Sequence, residues 1–392
     1  MKLLLIILQV ILIVIILPVH SFAESTAPKH PAIQSETAVL IDAVSGAILY
    51  EQDSEKVMYP ASLTKIVTAI MAIESGRLDE TVTVSKRARE VDGTRVYLEE
   101  GEQVPLKKLV QGLMINSGND AGVAIAEHLG GSVEGFAEMM NTFVENKVGV
   151  KDTNFENPHG LFGENHYSTA YDFALITKYA IKDPTFREIM GTSELKWVGE
   201  SWDTTIYNHH WMLREWPYEG IIGGKNGYIN QSGHTLVTAA QREDLTLIAV
   251  VLNATTKRMM YNDTEKLFDF GFEHFETGEL IAPQEFKVDS IVYHLKENLY
   301  FTKMLKENVR QEVSQSGELT IYGEDDRVIA NHTLINPLEE IDKSTIVEST
   351  IPLGDVYTEE KNNDSAVSYI LLLVLFFIIT SFLYLKKRRR KT

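Results

Sequence analysis

The sequence predicts an α/β fold of the α+β kind, an antiparallel five-stranded sheet packed with helices. Three observations carry that expectation. β-rich runs with hairpin turns occur in two groups, the chain between them changes to helical spacing, and the absence of cysteine leaves a packed core as the source of stability. The first group is the pair Ala38 to Ile41 and Ala47 to Tyr50, joined through Ser45-Gly46. The second is Thr235 to Ala240 and Leu245 to Leu252, around the polar turn Arg242-Glu243-Asp244, and the run Ile221 to Ile229 supplies a fifth strand.

In the middle, "PASLTKIVTAIMAIESG" and "PLKKLVQGLMINSGNDAGVAIAEHLGG" carry apolar residues at helical spacing and stop at Gly76 and Gly130. "SVEGFAEMMNTFVENKVGV" and "TAYDFALITKYAIKD" predict two further helices. After "FDFGFEHFETGELIAP" the composition shifts to short alternating runs, "FKVDSIVYHL", "GELTIYG" and "STIVESTIPL", which predict a smaller second β domain.

The two ends read as membrane signals. Residues 1–23 place Lys2 before an apolar stretch, Leu3 to Val19, and the small-residue pattern Ser21-Phe22-Ala23, as in a secretory signal peptide, with an uncleaved anchor as the competing reading. Ala366 to Leu385 is an uncharged stretch of 20 residues followed by six cations from Lys386 to Lys391, the pattern of a single transmembrane helix whose basic tail stays in the cytoplasm. The expected organisation is thus a signal peptide (1–23), a main domain (24–280), a β-rich domain (281–354), a polar spacer (355–365), a span (366–385) and a tail (386–392).

Charge and cysteine content narrow the chemistry. Seven of the 37 Lys and Arg lie in the end segments and none of the 55 Asp and Glu does, so residues 24–364 carry a net −25. Such a surface repels phosphate backbones and argues against nucleic-acid binding. Without cysteine there is no thiol nucleophile and no thiolate metal site.

Three short patterns carry reactive groups. In "PASLTK", Ser62 and Lys65 stand three apart at a helix start and share a face; a lysine whose pKa is lowered can take the proton that makes serine a nucleophile. In "NSGN", Ser117 and Asn119 offer a hydroxyl for proton relay and an amide for a carbonyl. In "GGKNGY", a phosphate loop fails at Glu219 and Asn226, which leaves an edge strand whose glycines admit a substrate backbone while Lys225 faces a cleft. Single matches recur by chance, at Ser193/Lys196 and at Lys147/Gly149. Only Ser62/Lys65, Ser117/Asn119 and Lys225/Gly227 occur in the order S-x-x-K, S-x-N, K-x-G with helix, helix-loop and strand contexts in turn.

With these motifs the chain resembles the serine D-alanyl-D-alanine carboxypeptidases, low-molecular-mass penicillin-binding proteins of peptidase family S11. "YPASLTKIVTA", "INSGNDAGVAIAEHLGGS", "NFENPHGL", "HYSTAYDFALI" and "GGKNGY....GHTLVTAA" carry the likeness over roughly Glu36 to Phe275. The resemblance implies a β-lactamase/penicillin-binding transpeptidase-like domain, a β-rich second domain and membrane attachment. It implies that Ser62 attacks the bond between two D-alanines of a peptidoglycan stem peptide with Lys65 as general base, and that Ser117 relays the proton to the leaving D-alanine. Asn119 would hold the peptide carbonyl, Lys225, Asn226 and Gly227 would line the substrate, and the backbone N–H groups of Ser62 and Tyr228 would form the oxyanion hole. β-Lactams would acylate the same serine, and neither cofactor nor metal is implied.

One position departs from the family pattern. Asn226 stands where K-T-G has threonine, and its amide is also a donor. Arg258 falls near where such enzymes place a carboxylate-binding arginine. His159, His166, His209 and His210 lack an H-E-x-x-H arrangement, and the first two are expected to brace loops around the cleft. A β-lactamase would share the motifs but needs a deacylating carboxylate, for which Glu156 and Glu164 are in the right interval; a catalytically weak penicillin-binding scaffold is the other alternative.

Overall fold

Five antiparallel strands form the central sheet, in the order Ile48–Gln52, Thr37–Asp42, Leu245–Ala254, Gly233–Arg242 and Ile221–Ile229. The structure is a computed structural model that describes residues 28–336. The segments expected to form the signal peptide, the last part of the β domain, the spacer, the transmembrane helix and the basic tail all fall outside the described residues. Among the described residues, no helix is long and apolar enough to cross a membrane.

The strands read as nearly continuous apolar runs because both faces of the sheet are covered. Side chains alternate between two cores, as the pleat requires. Val39, Ile41, Val237, Ala239, Ile248, Val250 and Leu252 join one core, with the helical middle of the chain. Ala38, Leu40, Leu236, Ala240, Leu247, Ala249 and Val251 join the other.

On the first face lie the helices Lys65–Glu74, Leu106–Ile115, Asn119–Gly130, Val133–Phe143 and Ala170–Ala180. The expected single run through "INSGND" is broken at Asn116 to Gly118, where Ser117 takes a left-handed φ of 59° and turns the chain. The second face is covered by the helix Lys257–His274, which the sequence reading did not anticipate. Its buried residues Met260, Tyr261, Thr264, Leu267, Phe268 and Gly271 repeat at the period of one helical face. Thr256 caps it by accepting the Met259 N–H at 3.1 Å. The short helices Lys86–Glu90 and Pro184–Gly191 and the hairpin Glu194–Val198/Asp203–Tyr207 are further elements the sequence reading did not separate.

Strands from Gln284–Val288 to Val328–Thr333 pack around a small core of Tyr293, Leu295, Leu319 and Leu334. The buried Asp42, at the end of a central strand, ties this region to the sheet. Its Oδ2 accepts from Ser45 at 3.0 Å, Thr277 at 2.9 Å and Thr302 at 2.7 Å. Three hydroxyl donors replace the water this carboxylate gives up on burial.

The long helix makes a direct test of the second core. Phe268→Ala removes a fully buried ring from it and is expected to cost about 3–5 kcal/mol, read as a lower midpoint in urea unfolding. A loss under about 1 kcal/mol would mean the helix is not a structural layer.

Candidate active site

The site is assembled where the first helix meets the edge strand. Ala61, at φ 49°, turns the chain into the 3₁₀ segment Ala61–Thr64, and Lys65–Glu74 follows. This puts Lys65 one turn after Ser62, on the same face. Lys65 Nζ lies 2.9 Å from Ser62 Oγ and 2.5 Å from the His159 carbonyl oxygen. The lysine is fully buried. Burial pushes its pKa well below the ordinary lysine value, the nearby Lys225 cation pushes the same way, and Asp120 opposes both. A neutral amine at this distance can accept the serine proton.

The strained turn is held from several sides. Thr64 Oγ1 donates to the Ala61 carbonyl at 2.8 Å and lies 2.8 Å from His166 Nε2. His166 Nδ1 accepts the Glu156 N–H at 3.1 Å, so the proton of the neutral ring sits on Nε2 and points at Thr64. Burial first, then Lys65, push the His166 pKa down to about 3, which keeps the ring neutral. Thr235 Oγ1 donates to the Pro60 carbonyl at 3.1 Å.

Close approach explains two glycines. A methyl group on Gly227 would sit 2.7 Å from Ser62 N and 2.6 Å from Thr235 Oγ1. One on Gly160, at φ 86°, would overlap the Ala61 carbonyl. The edge strand therefore runs directly against the backbone of the nucleophile.

Lys225, 2% exposed, donates to the Asn226 carbonyl at 2.8 Å. Burial, reinforced by Lys257, pushes its pKa down to about 7. His209, half-buried, is pushed down to about 4 by burial and by Lys225, Lys257, Lys65 and Arg214. Lys225 and Lys257 thus give this part of an acidic protein a positive field, which suits a carboxylate.

The S-x-N segment sits at the turn between two helices. Ser117 is buried at 6% exposure. Asn119 Nδ2 donates to the Asp92 carbonyl at 2.7 Å, and its backbone N–H to the Thr94 carbonyl at 2.7 Å; the second amide hydrogen remains available to a ligand. Asp120, fully buried, accepts from Val96 N at 3.0 Å and Leu98 N at 3.1 Å.

The remaining sequence candidates separate cleanly. Asn226 is half-buried on the edge strand, and the exposed ring of Tyr228 packs on His234 with centroids 4.7 Å apart. Of the chance matches, Lys196 is exposed and paired with Asp203 at 2.5 Å, and Lys147 is an exposed residue at a helix end. Arg258 is exposed, 5.9 Å from the Trp216 ring, whereas its neighbour Lys257 lies over Trp211 at 4.2 Å and is the cation that acts on Lys225. Glu156 is exposed and folds back to accept from Asn165 N at 3.2 Å, and Glu164 is exposed as well. Sequence reasoning missed Asp120, Gly160, Lys257 and the part His209 plays; only Asp120, beside Asn119, carried a local signal. Among the described residues, no group of three or more His, Asp or Glu is placed to hold a metal ion.

A serine hydroxyl bonded to a buried lysine, under an edge strand carrying a second buried lysine, defines a serine acyl-transfer enzyme of the penicillin-binding fold. The chain belongs to the D-alanyl-D-alanine carboxypeptidase family, Peptidase S11, whose model matches residues 24–256. It is 35% identical over 256 residues to the D-alanyl-D-alanine carboxypeptidase DacF of Bacillus subtilis, a match spanning 64% of this chain and 65% of that relative's length. It is 31% identical to the carboxypeptidase DacC of Escherichia coli, over 81% of this chain and 79% of the relative. Penicillin binding protein 5 of Haemophilus influenzae superposes with a TM-score of 0.72 at 29% identity, covering 79% of this chain and 98% of that one.

Two substitutions test the geometry. Gly227→Ala is expected to lower acylation of Ser62 by a β-lactam at least tenfold, about 1.4 kcal/mol in the barrier, as followed by mass spectrometry; unchanged acylation would show that the strand does not abut the nucleophile. Lys225→Met tests the cost of the buried cation. The folded pKa of Lys225 lies below the ordinary lysine value of 10.5, so between about 7 and 10.5 the unfolded chain binds more protons. This destabilising contribution is complete below about 7 and fades toward 10.5. The variant should therefore be more stable than the parent by on the order of a few kcal/mol near neutrality, with the gain shrinking as pH rises; a constant or growing gain would contradict the assignment.

Proposed function

We propose that the protein is a penicillin-sensitive serine carboxypeptidase that removes the terminal D-alanine from peptidoglycan stem peptides through an acyl-enzyme. The observation that carries this reading is the 2.9 Å contact between Ser62 Oγ and a buried Lys65 whose pKa is depressed. The neutral amine takes the hydroxyl proton as Ser62 Oγ attacks the carbonyl carbon of the D-Ala-D-Ala bond. The backbone N–H groups of Ser62 and Tyr228 receive the oxyanion; the contact distance at Gly227 supports this, because it brings the strand that carries Tyr228 against Ser62. As the tetrahedral intermediate collapses, the C–N bond breaks and Ser117 gives its hydroxyl proton to the departing amine while it takes up the one held by Lys65, which returns to the free base. Water then hydrolyses the ester and restores Ser62.

The other residues bind. Asn119 offers its second amide hydrogen to the peptide carbonyl, and Asn226 offers an amide where the family pattern has a hydroxyl. Lys225, reinforced by the field of Lys257, takes the terminal carboxylate. A bound anion raises the pKa of Lys225 from about 7, so binding draws a proton onto it. A β-lactam presents the same carboxylate and carbonyl and acylates Ser62 in the same way. Neither Glu156 nor Glu164 is turned to serve as a deacylating base, which favours a slowly released penicillin over a β-lactamase.

The enzyme works outside the cytoplasmic membrane, exported by residues 1–23 and held by one span at 366–385. The hydropathy of those segments and the cationic tail support this topology.

Ser62→Ala is expected to abolish both covalent labelling by penicillin and release of D-alanine from a stem pentapeptide, a loss of at least 10³-fold, measured by mass spectrometry and a D-alanine assay. Retention of either activity would refute Ser62 as the nucleophile, and fast penicillin turnover without D-alanine release would favour a β-lactamase.

A further inference from the structure

The loop from Asp92 to Leu98 is pinned along its length by the segment that carries Ser117. Asn119 binds the carbonyls of Asp92 and Thr94 at 2.7 Å each, and Asn116 Nδ2 binds that of Arg95 at 2.8 Å. Asp120 takes the N–H groups of Val96 and Leu98, at 3.0 and 3.1 Å. From the other side Ser201 Oγ, at the tip of the Glu194–Val198/Asp203–Tyr207 hairpin, donates to the Tyr97 carbonyl at 2.7 Å.

Between these anchors Tyr97 is forced to φ 56°, a conformation a bulky side chain rarely takes. The outcome is an aromatic ring held outward, 52% exposed, rather than packed in the core. Trp202 meets it edge to face with centroids 5.0 Å apart, and the Arg95 guanidinium lies 5.4 Å from the Tyr97 ring centre. These groups, with Arg89, Glu99 and Ser201, line a cleft of about 630 Å³, within the size range of small-molecule sites. An outlier backbone fixed by six hydrogen bonds and presenting an aromatic ring to solvent calls for a function.

We propose that this cleft is a subsite for a sugar ring of the glycan strand to which the stem peptide is attached. The apolar C–H face of a pyranose stacks on an exposed aromatic ring, while its hydroxyl and acetamido oxygens accept hydrogen bonds from guanidinium groups at the rim and its hydroxyls donate to a carboxylate, as supplied here by Arg95 and by the Arg89–Glu99 pair. The same segment holds both the platform and Ser117, so a sugar bound there is in fixed register with the peptide cleft. The assignment rests on the carboxypeptidase reading for the identity of the glycan, and its test has an arm that does not.

The experiment compares D-alanine release from a free stem pentapeptide and from the same pentapeptide on a disaccharide, for the parent, Tyr97→Ala, Trp202→Ala and Tyr97→Phe. Both alanine variants are expected to lose at least fivefold in kcat/KM on the glycosylated substrate, through KM. They should change less than twofold on the free peptide and in acylation by penicillin, and Tyr97→Phe should keep the parent's values. Equal losses on both substrates would mean that the ring only supports the S-x-N segment, and no loss on either would mean that it binds nothing; each result overturns the subsite. Independently of catalysis, calorimetry with an N-acetylglucosamine tetramer should show binding to the parent that Tyr97→Ala weakens at least fivefold. No binding to the parent would overturn the proposal even if D-alanine release is normal. Binding without any D-alanine release would keep the sugar site and sink the carboxypeptidase reading.

Discussion

The burial of two lysines in one pocket is the constraint on which the site depends. An ammonium group loses several kcal/mol of hydration on burial, and a second cation nearby adds repulsion. Lys65 and Lys225 are both inside, each with its pKa pushed down by burial first and by another cation second. The pair divides the work. Lys65, with the nucleophile at 2.9 Å, is pushed toward its free-base form, whereas Lys225 remains near its titration point and is set to gain a proton when an anion arrives. The same arrangement makes a base of one lysine and an anion receptor of the other, with no metal required by the chemistry.

Such a pocket holds only if its walls cannot relax. The walls are backbone: the turn at Ala61, with the edge strand at Gly227 and the loop at Gly160 each within contact distance of it. Positive φ at Ala61 and Ser117 costs of order 1–3 kcal/mol each, and the surroundings hold both in place. His166 and Thr64 fix the first turn, while Asn119 and Asp120 anchor the loop beside the second. Two apolar cores, one on each face of the sheet, supply the stability that offsets these costs.

Much of this was legible in the sequence, for reasons specific to each element. The five strands announced themselves because runs such as "LTLIAVVLNA" are buried on both faces, and the order of the three motifs separated Ser62, Lys65, Ser117 and Lys225 from the chance matches. That same continuous run implied a covering layer on the second face, yet the helix Lys257–His274 went unread because its polar face, with Lys257, Arg258, Glu265 and Lys266, lowers its mean hydropathy. Contacts between distant segments had no local signature. Gly160 matters because of where Ala61 lies, and Lys257 matters because a helix begins beside Lys225. The arginine that family likeness pointed to is exposed against Trp216, one position from the lysine that acts on the pocket; neighbours on a helix point about 100° apart, so one residue of register decides which side chain enters.

The central claim is that burial and the Lys225 cation hold the Lys65 amine well below the ordinary lysine pKa, which makes it a base toward Ser62. A ¹³C NMR titration of the lysine ε-carbons, with the Lys65 signal assigned by its loss in Lys65→Arg, measures this directly. The account predicts a resonance that titrates well below the ordinary lysine value of 10.5 and shifts upward when Lys225 is replaced by methionine, because one of the causes of the depression is then removed. A Lys65 resonance that titrates at the ordinary lysine value would contradict the account, since no free base would then stand beside Ser62.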